Sequence, residues 1–203
     1  MNELTVRIRA VMANRLWRAG WLGYVALQLG VLAFPVARIP GYELSTALGL
    51  ITAIIGGAFG VAFGRQESMR AVTAPLRQAV FATLGAVVML LVPALLTLLV
   101  GIALTLMTPC SPFDAIAFFP VTVVPDVFVV AALGVWIGLR FRGWWQFVLS
   151  WFGVVLASAI HTSWPIVFGP QVSAWNHLAG FLPGPLYDEE LHLPAALLWF
   201  RLG

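Results

Sequence analysis

Long apolar runs separated by short arginine-bearing segments are the feature that most constrains the fold of this chain. Five runs cover residues 21–37, 44–64, 79–106, 119–139 and 145–168. A helix that crosses a bilayer needs about 20 mostly apolar residues. Of the 203 residues, 61% are apolar and only 9% are charged, a balance that a water-soluble domain of this size could not bury. The sequence therefore predicts an all-α integral membrane protein, a transmembrane helical bundle with five full spans.

A sixth apolar segment begins at Leu191 and is shorter than the others. It has thirteen residues, or about 20 Å of helix against a hydrocarbon core of about 30 Å. We expect a C-terminal partial helix here, either a half-helix or the start of a span that continues. The whole of 1–203 is predicted to be one transmembrane domain.

The distribution of arginines predicts how the chain is oriented. The net charge of +3 is the balance of eleven arginines against eight acidic residues. The arginines border apolar runs, which favours membrane topology over nucleic-acid binding. Nine of the arginines lie before the first run, between the second and third runs, or between the fourth and fifth runs. The alternate segments carry Arg38 and most of the acidic residues, and Asp126 is counted among those acids. The positive-inside rule then predicts a bacterial inner-membrane protein with a cytoplasmic N-terminus and an outward loop at 169–190. The first span is predicted to be an uncleaved signal anchor.

Residues 3–18, within a predicted cytoplasmic segment 1–20, have the pattern of an amphipathic helix that lies in the membrane interface. At 100° per residue, Glu3, Arg7 and Arg15 share a polar face with Asn14 and Arg18. This helix could simply orient the first span. Alternatively, it could be an elbow that couples the membrane domain to a cytoplasmic partner.

Small residues recur along one face of the second apolar run. Gly56, Gly60 and Gly64 follow one another at four-residue steps. A glycine stripe lets two helix backbones approach closely in a membrane. We expect tight packing against a neighbour, and five spans favour a neighbour in the same chain over a homodimer.

His161 lies in the fifth apolar run, and its imidazole is a candidate axial ligand for haem or chlorophyll. No second histidine lies in another span to complete a bis-histidine site. The favoured interpretation is a hydrogen-bonded core histidine beside Ser158, Thr162 and Ser163.

Recognisable catalytic and cofactor motifs are missing from the sequence. No acidic residue or arginine is predicted in mid-span, which argues against a transporter coupled through a buried carboxylate. Cys110 is the single cysteine, so no internal disulfide or cysteine metal cluster is expected. We expect no enzyme activity and no cofactor within these residues.

The outward loop 169–190 combines a Pro183-Gly184 turn with an acidic run that starts at Asp188. The acids could form an outward cation site, or they could stabilise the start of the last helix. Because aromatic residues accompany them, we expect the loop to be ordered and to fold back onto the span ends as a lid.

The end of the chain resembles a family of large, poorly characterised bacterial membrane proteins. The matching positions of the outward N-x-x-x-G-x-x-P-G-x-x-Y-D-E segment are Asn176, Gly180, Pro183, Gly184, Tyr187, Asp188 and Glu189. In that family the segment belongs to a membrane domain that often precedes a peptidase-like or repeat domain. The resemblance implies that such a domain, if present, lies beyond this sequence.

The plan of the chain also resembles the permease subunits of type-2 ABC exporters. An elbow helix, a cytoplasmic loop after the second span and a structured outward loop before the sixth match residues 3–18, 65–77 and 169–190. Three functions are therefore predicted: an exporter-like permease domain with a cytoplasmic ATPase, an accessory subunit of a larger membrane complex that could hold pigment or redox groups, or the membrane domain of a longer peptidase. In each case the lipid bilayer and further protein subunits are the partners.

Overall fold

Helices account for most of the chain. The computed structural model describes residues 3–69, 75–106, 116–141, 143–168, 174–176, 178, 180–182 and 199–200. The α-helices are α1 (Glu3–Met12), α2 (Arg15–Gly30), α3 (Pro35–Arg38), α4 (Tyr42–Ile51), α5 (Gly57–Ser68), α6 (Pro75–Thr105), α7 (Phe118–Arg140) and α8 (Trp144–Phe168). A π-helical segment, Thr52–Gly56, joins α4 to α5 without a break.

Among the described residues, four helical segments are long and apolar enough to cross a membrane. They are Tyr42–Ser68, Pro75–Thr105, Phe118–Arg140 and Trp144–Trp164, with 27, 31, 23 and 21 residues. They coincide with the last four apolar runs, because a segment of about 20 apolar residues satisfies its backbone in lipid only as a helix. The all-α class and four of the five predicted spans are thus present, and the chain is a possible multi-pass membrane protein.

The first apolar run, 21–37, differs from the prediction because it is not one continuous helix. Asn14 caps α2 by accepting a hydrogen bond from the Leu16 amide at 2.9 Å, and the helix ends at Gly30. A 3₁₀ turn follows, and Phe34 is extended with ψ of 124° before Pro35 opens α3. Proline disfavours a helical conformation in the residue before it and has no N–H to donate, so it starts a helix more readily than it continues one.

This broken segment nevertheless runs beside α6 for much of its length. The indole of Trp21 reaches the middle of α6 at Met89, and a Cβ at Gly101 would lie 3.5 Å from both Leu32 and the Arg38 carbonyl. Met89 and Gly101 are about 18 Å apart along the helix axis. Residues 15–38 therefore accompany α6 in the same direction over more than half of a bilayer core.

Pro93 lies inside α6 without ending it. A proline at this position leaves the carbonyl of Met89, four residues earlier, without its helical N–H donor. The Trp21 indole N–H donates to that carbonyl at 2.9 Å. This contact supplies the alternative donor that a freed carbonyl in lipid requires, and it joins α2 to α6.

A backbone-to-backbone seam joins α5 and α7 at the centre of the bundle. A Cβ on Gly60 would lie 2.8 Å from the Ala131 carbonyl oxygen and 2.9 Å from the Gly134 Cα, and one on Gly138 would lie 2.5 Å from the Val61 carbonyl oxygen. Gly64 likewise faces Val135 and Gly138, so the contacts advance together along both helices and the helices are parallel. Gly56, by contrast, meets the side chains of Val130 and Leu90.

Helix α8 lies at the edge of the described bundle. In its most apolar stretch 17% of the residues are buried, compared with 67% in Tyr42–Ser68. Trp151 is its main anchor, since this side chain is buried and its ring occupies the space next to Gly57. Most other large apolar side chains of α8 are exposed.

Candidate functional site

A buried ion pair fixes the amphipathic helix α1 to the bundle. Arg7 contacts Glu67 at the end of α5, and the two side chains are only 7% and 1% exposed. The Arg7 guanidinium also lies 5.5 Å from the centre of the Phe81 ring on α6. Removing one partner of such a pair leaves an uncompensated charge in an apolar surrounding. The pair therefore defines where α1 sits on α5 and α6.

Arg7 was predicted to lie on the polar face of an interfacial amphipathic helix, whereas the structure buries it against the bundle. Arg7 and Val11, one turn apart, are the buried residues of α1. A second, exposed ion pair joins Glu3 to Arg77 on α6, and the Arg77 guanidinium lies 5.8 Å from the centre of the same Phe81 ring. The sequence could not identify these pairs because their partners are 60 and 74 residues apart.

A cleft of about 730 Å³ opens where α1 turns into α2, against the ends of α5 and α7. We call it the elbow cleft. Its lining residues are Ala10, Val11, Asn14, Trp17, Ala62, Arg65, Gln66, Ser68, Met69 and Phe141. Arg65 is the one charged residue among these described lining residues, and none of them is a carboxylate.

The polar groups of the elbow cleft differ in their hydrogen bonding. Asn14 accepts the capping hydrogen bond from Leu16, and the Ser68 hydroxyl donates to the Arg65 carbonyl at 2.8 Å. The amide oxygen Oε1 of Gln66 is buried, and no described residue donates to it. A buried acceptor without a donor costs about 1–3 kcal/mol, and this oxygen is buried rather than exposed to the cleft.

A chain of buried hydrogen bonds crosses from α2 to the π-helical segment. Gln28 Nε2 donates to the Tyr24 hydroxyl at 2.5 Å, and Tyr24 shares a hydrogen bond of 2.8 Å with the hydroxyl of Thr52. Thr52 in turn donates to the Leu48 carbonyl at 2.8 Å. These bonds hold α2 against the irregular part of the second span.

On the opposite side, α8 holds the same π-helical segment. The indole N–H of Trp151 donates to the carbonyl of Ile54 at 3.1 Å. A π-helical segment shifts the hydrogen-bond pattern of a helix, and such segments occur often at functional sites. Here Tyr24 and Gln28 of α2 and Trp151 of α8 form hydrogen bonds with the shifted region.

Asp126 corrects two predictions. It was assigned to an outward segment, and no acid was expected in mid-span, yet it is the ninth residue of α7 and is 0% exposed. It lies against Gly49 of α4, where a Cβ would be 2.8 Å from the carboxylate oxygen. The apolar run 119–139 already contained this residue, so the span boundaries alone could have located it.

Part of the predicted outward loop is a β-hairpin that packs on the helices. Strands β1 (Ala174–Asn176) and β2 (Gly180–Leu182) pair antiparallel, with Asn176 opposite Gly180. Strand β1 contacts α8, and β2 contacts α7 and α4. The described part of 169–190 therefore folds back onto the helices, while Pro183, Gly184, Tyr187, Asp188 and Glu189 lie outside the described residues.

The side chain of Asn176 attaches this hairpin to α8. Its side-chain amide donates to the hydroxyl of Thr162 at 2.5 Å and to the carbonyl of Ser158 at 3.3 Å. Its amide oxygen accepts from the Ser158 hydroxyl at 2.9 Å and from the Leu178 amide at 2.7 Å. The resemblance in the loop thus includes a residue with a clear structural role.

His161 is exposed on α8, so the interpretation as a hydrogen-bonded core histidine is wrong. Ser158 and Thr162 bond to Asn176, whereas His161 lines a shallow groove with Ala157, Ile160 and Trp164. Ser158 and Thr162 lie on one face of α8 and His161 lies on another, and the sequence pattern does not show which face the hairpin covers. The role of His161 as a ligand stays a prediction.

Comparisons with known proteins identify no relative. No family model matches the chain, and neither the curated proteins nor the solved structures include a significant match. Within the part of the chain that the structure describes, no three His, Cys, Asp or Glu side chains are grouped as a metal site would require. Because no relative suggests a function, a proposal has to rest on the contacts that α1, α5 and α7 make with one another.

Proposed function

We propose that this chain is the non-catalytic membrane domain of a permease-like assembly in the bacterial inner membrane. In this proposal its N-terminus is cytoplasmic, and α1 receives the movement of a cytoplasmic ATPase subunit. The observation that carries the proposal is the buried ion pair between Arg7 and Glu67. An amphipathic helix that served only as a membrane anchor would not need a buried ion pair with a helix that is far from it in the sequence.

The mechanical connection continues from α1 into the centre of the bundle. Glu67 belongs to α5, and α5 meets α7 through the glycine seam at Gly60 and Gly134. Contacts between backbones have no flexible side chain that could absorb a displacement. A displacement of α1 would therefore shift α5 and α7 together, as coupling between an ATPase and a transport pathway requires.

The proposed orientation can be tested by cysteine labelling in a Cys110→Ser background. Met69 is 80% exposed at the end of α5, which makes it a better reporter than the buried Glu67. With a membrane-impermeant maleimide, we expect position 177 to react in intact cells and position 69 to react only after permeabilisation. The reverse pattern would invert the molecule and remove α1 from the reach of a cytoplasmic partner.

The ATPase partner can be tested by photocrosslinking in native membranes. A photoreactive amino acid at Thr5, an exposed position of α1, should give an adduct with an ATP-hydrolysing subunit. The matched control is Leu99, which is 62% exposed on α6 and should crosslink to lipid. An ATPase adduct at neither position, or equal adducts at both, would refute the coupling role.

A second candidate, an accessory subunit of a larger membrane complex, is favoured by the exposure of α8. Exposed apolar side chains recur along this helix at three- and four-residue steps, which places them on one face that another membrane helix could cover. They include Leu149, Phe152, Leu156, Ile160 and Trp164. A photoreactive residue at position 152 that crosslinks to another membrane subunit, together with a silent Thr5 variant, would favour this candidate over the permease. If the complex holds a pigment, His161→Ala should change its absorption spectrum.

A further inference from the structure

We propose that the groove beside His161 on α8 binds the headgroup of a membrane quinone, a neutral ring that carries two carbonyl oxygens. The juxtaposition that carries this inference is the exposed imidazole of His161 next to the exposed indole of Trp164. Both side chains line a groove of about 490 Å³ together with Ala157 and Ile160. The inference goes beyond the proposed coupling role and rests only on the membrane placement of the chain.

The exposed tryptophans of α8 place His161 close to one surface of the bilayer. Trp144 and Trp164 are 56% and 61% exposed, and exposed tryptophan is enriched where the hydrocarbon core meets the headgroups. The segment Trp144–Trp164 has 21 residues, or about 30 Å of helix, which equals the thickness of the hydrocarbon core. His161 lies one turn before Trp164, so along the helix axis it is within about 5 Å of the headgroup layer. A quinone ring, which is polar at its carbonyls and apolar elsewhere, suits this depth.

The imidazole is the polar group of this part of α8 that the protein itself does not engage. Ser158 and Thr162 hydrogen-bond to Asn176, and the Ser163 hydroxyl donates to the Ala159 carbonyl at 2.8 Å. Within the described part of the chain, by contrast, nothing hydrogen-bonds to the imidazole, which is exposed and open to a ligand. Ionisable side chains within membrane spans mark ligand sites. A neutral imidazole has one N–H donor, and a quinone carbonyl is an acceptor for it.

The composition of α8 favours a neutral ligand over an anionic one. The helix contains no arginine, lysine, aspartate or glutamate. Phosphodiesters and the propionates of haem are anions, and proteins bind such groups mainly through arginine and lysine. A quinone needs only a hydrogen-bond donor and apolar surroundings. The groove provides both, through His161 and through Ala157 and Ile160.

Trp164 supplies a flat surface for the quinone ring. Its indole packs against the Phe168 ring, with the ring centroids 4.5 Å apart, and it is still 61% exposed. Aromatic rings attract one another in offset-stacked or tilted arrangements. The isoprenoid tail of a bound quinone would then follow the exposed apolar side chains from Ile160 through Leu156 to Leu149, a distance of about 17 Å along the helix.

The test is binding of tritiated decylubiquinone to the purified full chain in detergent, measured by scintillation proximity. We expect saturable binding that unlabelled decylubiquinone displaces and decylbenzene, which lacks the carbonyls, does not. His161→Leu removes the N–H donor and should lower the affinity about 3- to 10-fold, whereas His161→Gln keeps an N–H donor and should stay within about twofold of the native chain. The matched control is Ser163→Ala, which removes an exposed hydroxyl outside this groove and should change the affinity less than about twofold.

Competition with other ligands separates the alternatives. Excess phosphatidylglycerol should not displace the quinone, since displacement would identify a phospholipid headgroup site and overturn the inference. Added haemin should give no absorption band that His161→Leu abolishes, because such a band would assign the imidazole to a porphyrin metal instead. Equal affinity of the native chain and His161→Leu, or displacement by decylbenzene, would likewise overturn it.

Both His161 and Trp164 are exposed, so their variants should unfold like the native chain. If His161→Leu nevertheless misfolds, Trp164→Leu provides a second comparison with Ser163→Ala, because loss of the stacking surface should weaken decylubiquinone about 2- to 10-fold. The crosslink at Thr5 does not depend on this groove. A failure of either experiment therefore leaves the other proposal standing.

Discussion

Replacing Gly60 by alanine tests the seam on which the coupling proposal depends. The control is Gly153→Ala on α8, where a Cβ would meet nothing within 4 Å. Both glycines lie inside helices, so the gain in helix propensity on going to alanine is similar and cancels in the comparison. The difference between the two variants therefore measures the loss of close packing alone.

The magnitude follows from the distances at the seam. A Cβ on Gly60 would lie 2.8 Å from the Ala131 carbonyl oxygen, and ordinary van der Waals contact begins at 3.4 Å. The obstacle is backbone, so α5 and α7 have to separate by about 0.6 Å. Overpacking of this kind costs about 1–3 kcal/mol, and we expect Gly60→Ala to be less stable than Gly153→Ala by that amount.

The assay is reversible unfolding in mixed micelles, followed by circular dichroism. A second comparison strengthens it, because Gly134 fills the same gap from the other helix, where a Cβ would lie 2.9 Å from the Gly60 Cα. Once one alanine has separated the helices, the second costs less, so the double variant should lose less than the sum of the single losses. Equal stability of Gly60→Ala and Gly153→Ala would show that the seam is not closely packed, and the reasoning would fail.

Four further predictions concern contacts outside the seam. Arg7→Gln should destabilise the protein by about 3–5 kcal/mol because it leaves Glu67 buried and charged, and Arg7→Gln with Glu67→Gln should recover much of the loss in the same unfolding assay. Glu3→Gln, at the exposed ion pair, should cost at most about 1 kcal/mol; a loss equal to that of Arg7→Gln would contradict the assigned burial. Trp151→Phe should cost about 1–2 kcal/mol through the lost hydrogen bond to the π-helical segment, and no change in unfolding would show that this bond is dispensable. Asn176→Ala should speed protease cleavage of the hairpin at least about tenfold, since its bonds to α8 are together worth more than 1.4 kcal/mol; an unchanged cleavage rate would mean that other contacts hold the loop.

The glycine pattern shows how much of the seam between α5 and α7 the sequence could predict. The four-residue steps at Gly56, Gly60 and Gly64 predicted a close approach without identifying the neighbour. The neighbour carries the same spacing at Gly134 and Gly138, and a search for a second stripe would have suggested the pair. The stripe is also not uniform, since Gly56 meets side chains rather than backbone.

Two errors came from assigning residues to one environment by sequence position alone. Asp126 was counted with a loop, although α7 buries it beside Gly49, and His161 was assigned to the core, although it is exposed. The periodicity of a helix places residues on faces relative to one another. Which face is covered depends on the neighbours that dock there, here α4 for Asp126 and the hairpin at Asn176 for the other side of α8.

The sequence by itself determined the four long apolar helices, because the length of an apolar segment acts locally. The first run was predicted as a full span, and its break before Pro35 is a finding of the structure. Tertiary structure alone decided the ion pair of Arg7 with Glu67, the donor for the carbonyl freed by Pro93, and the elbow cleft. Each of these joins segments that are tens of residues apart. In an apolar surrounding a charge or an unpaired backbone group requires a partner, and only the packing of the helices brings that partner within reach.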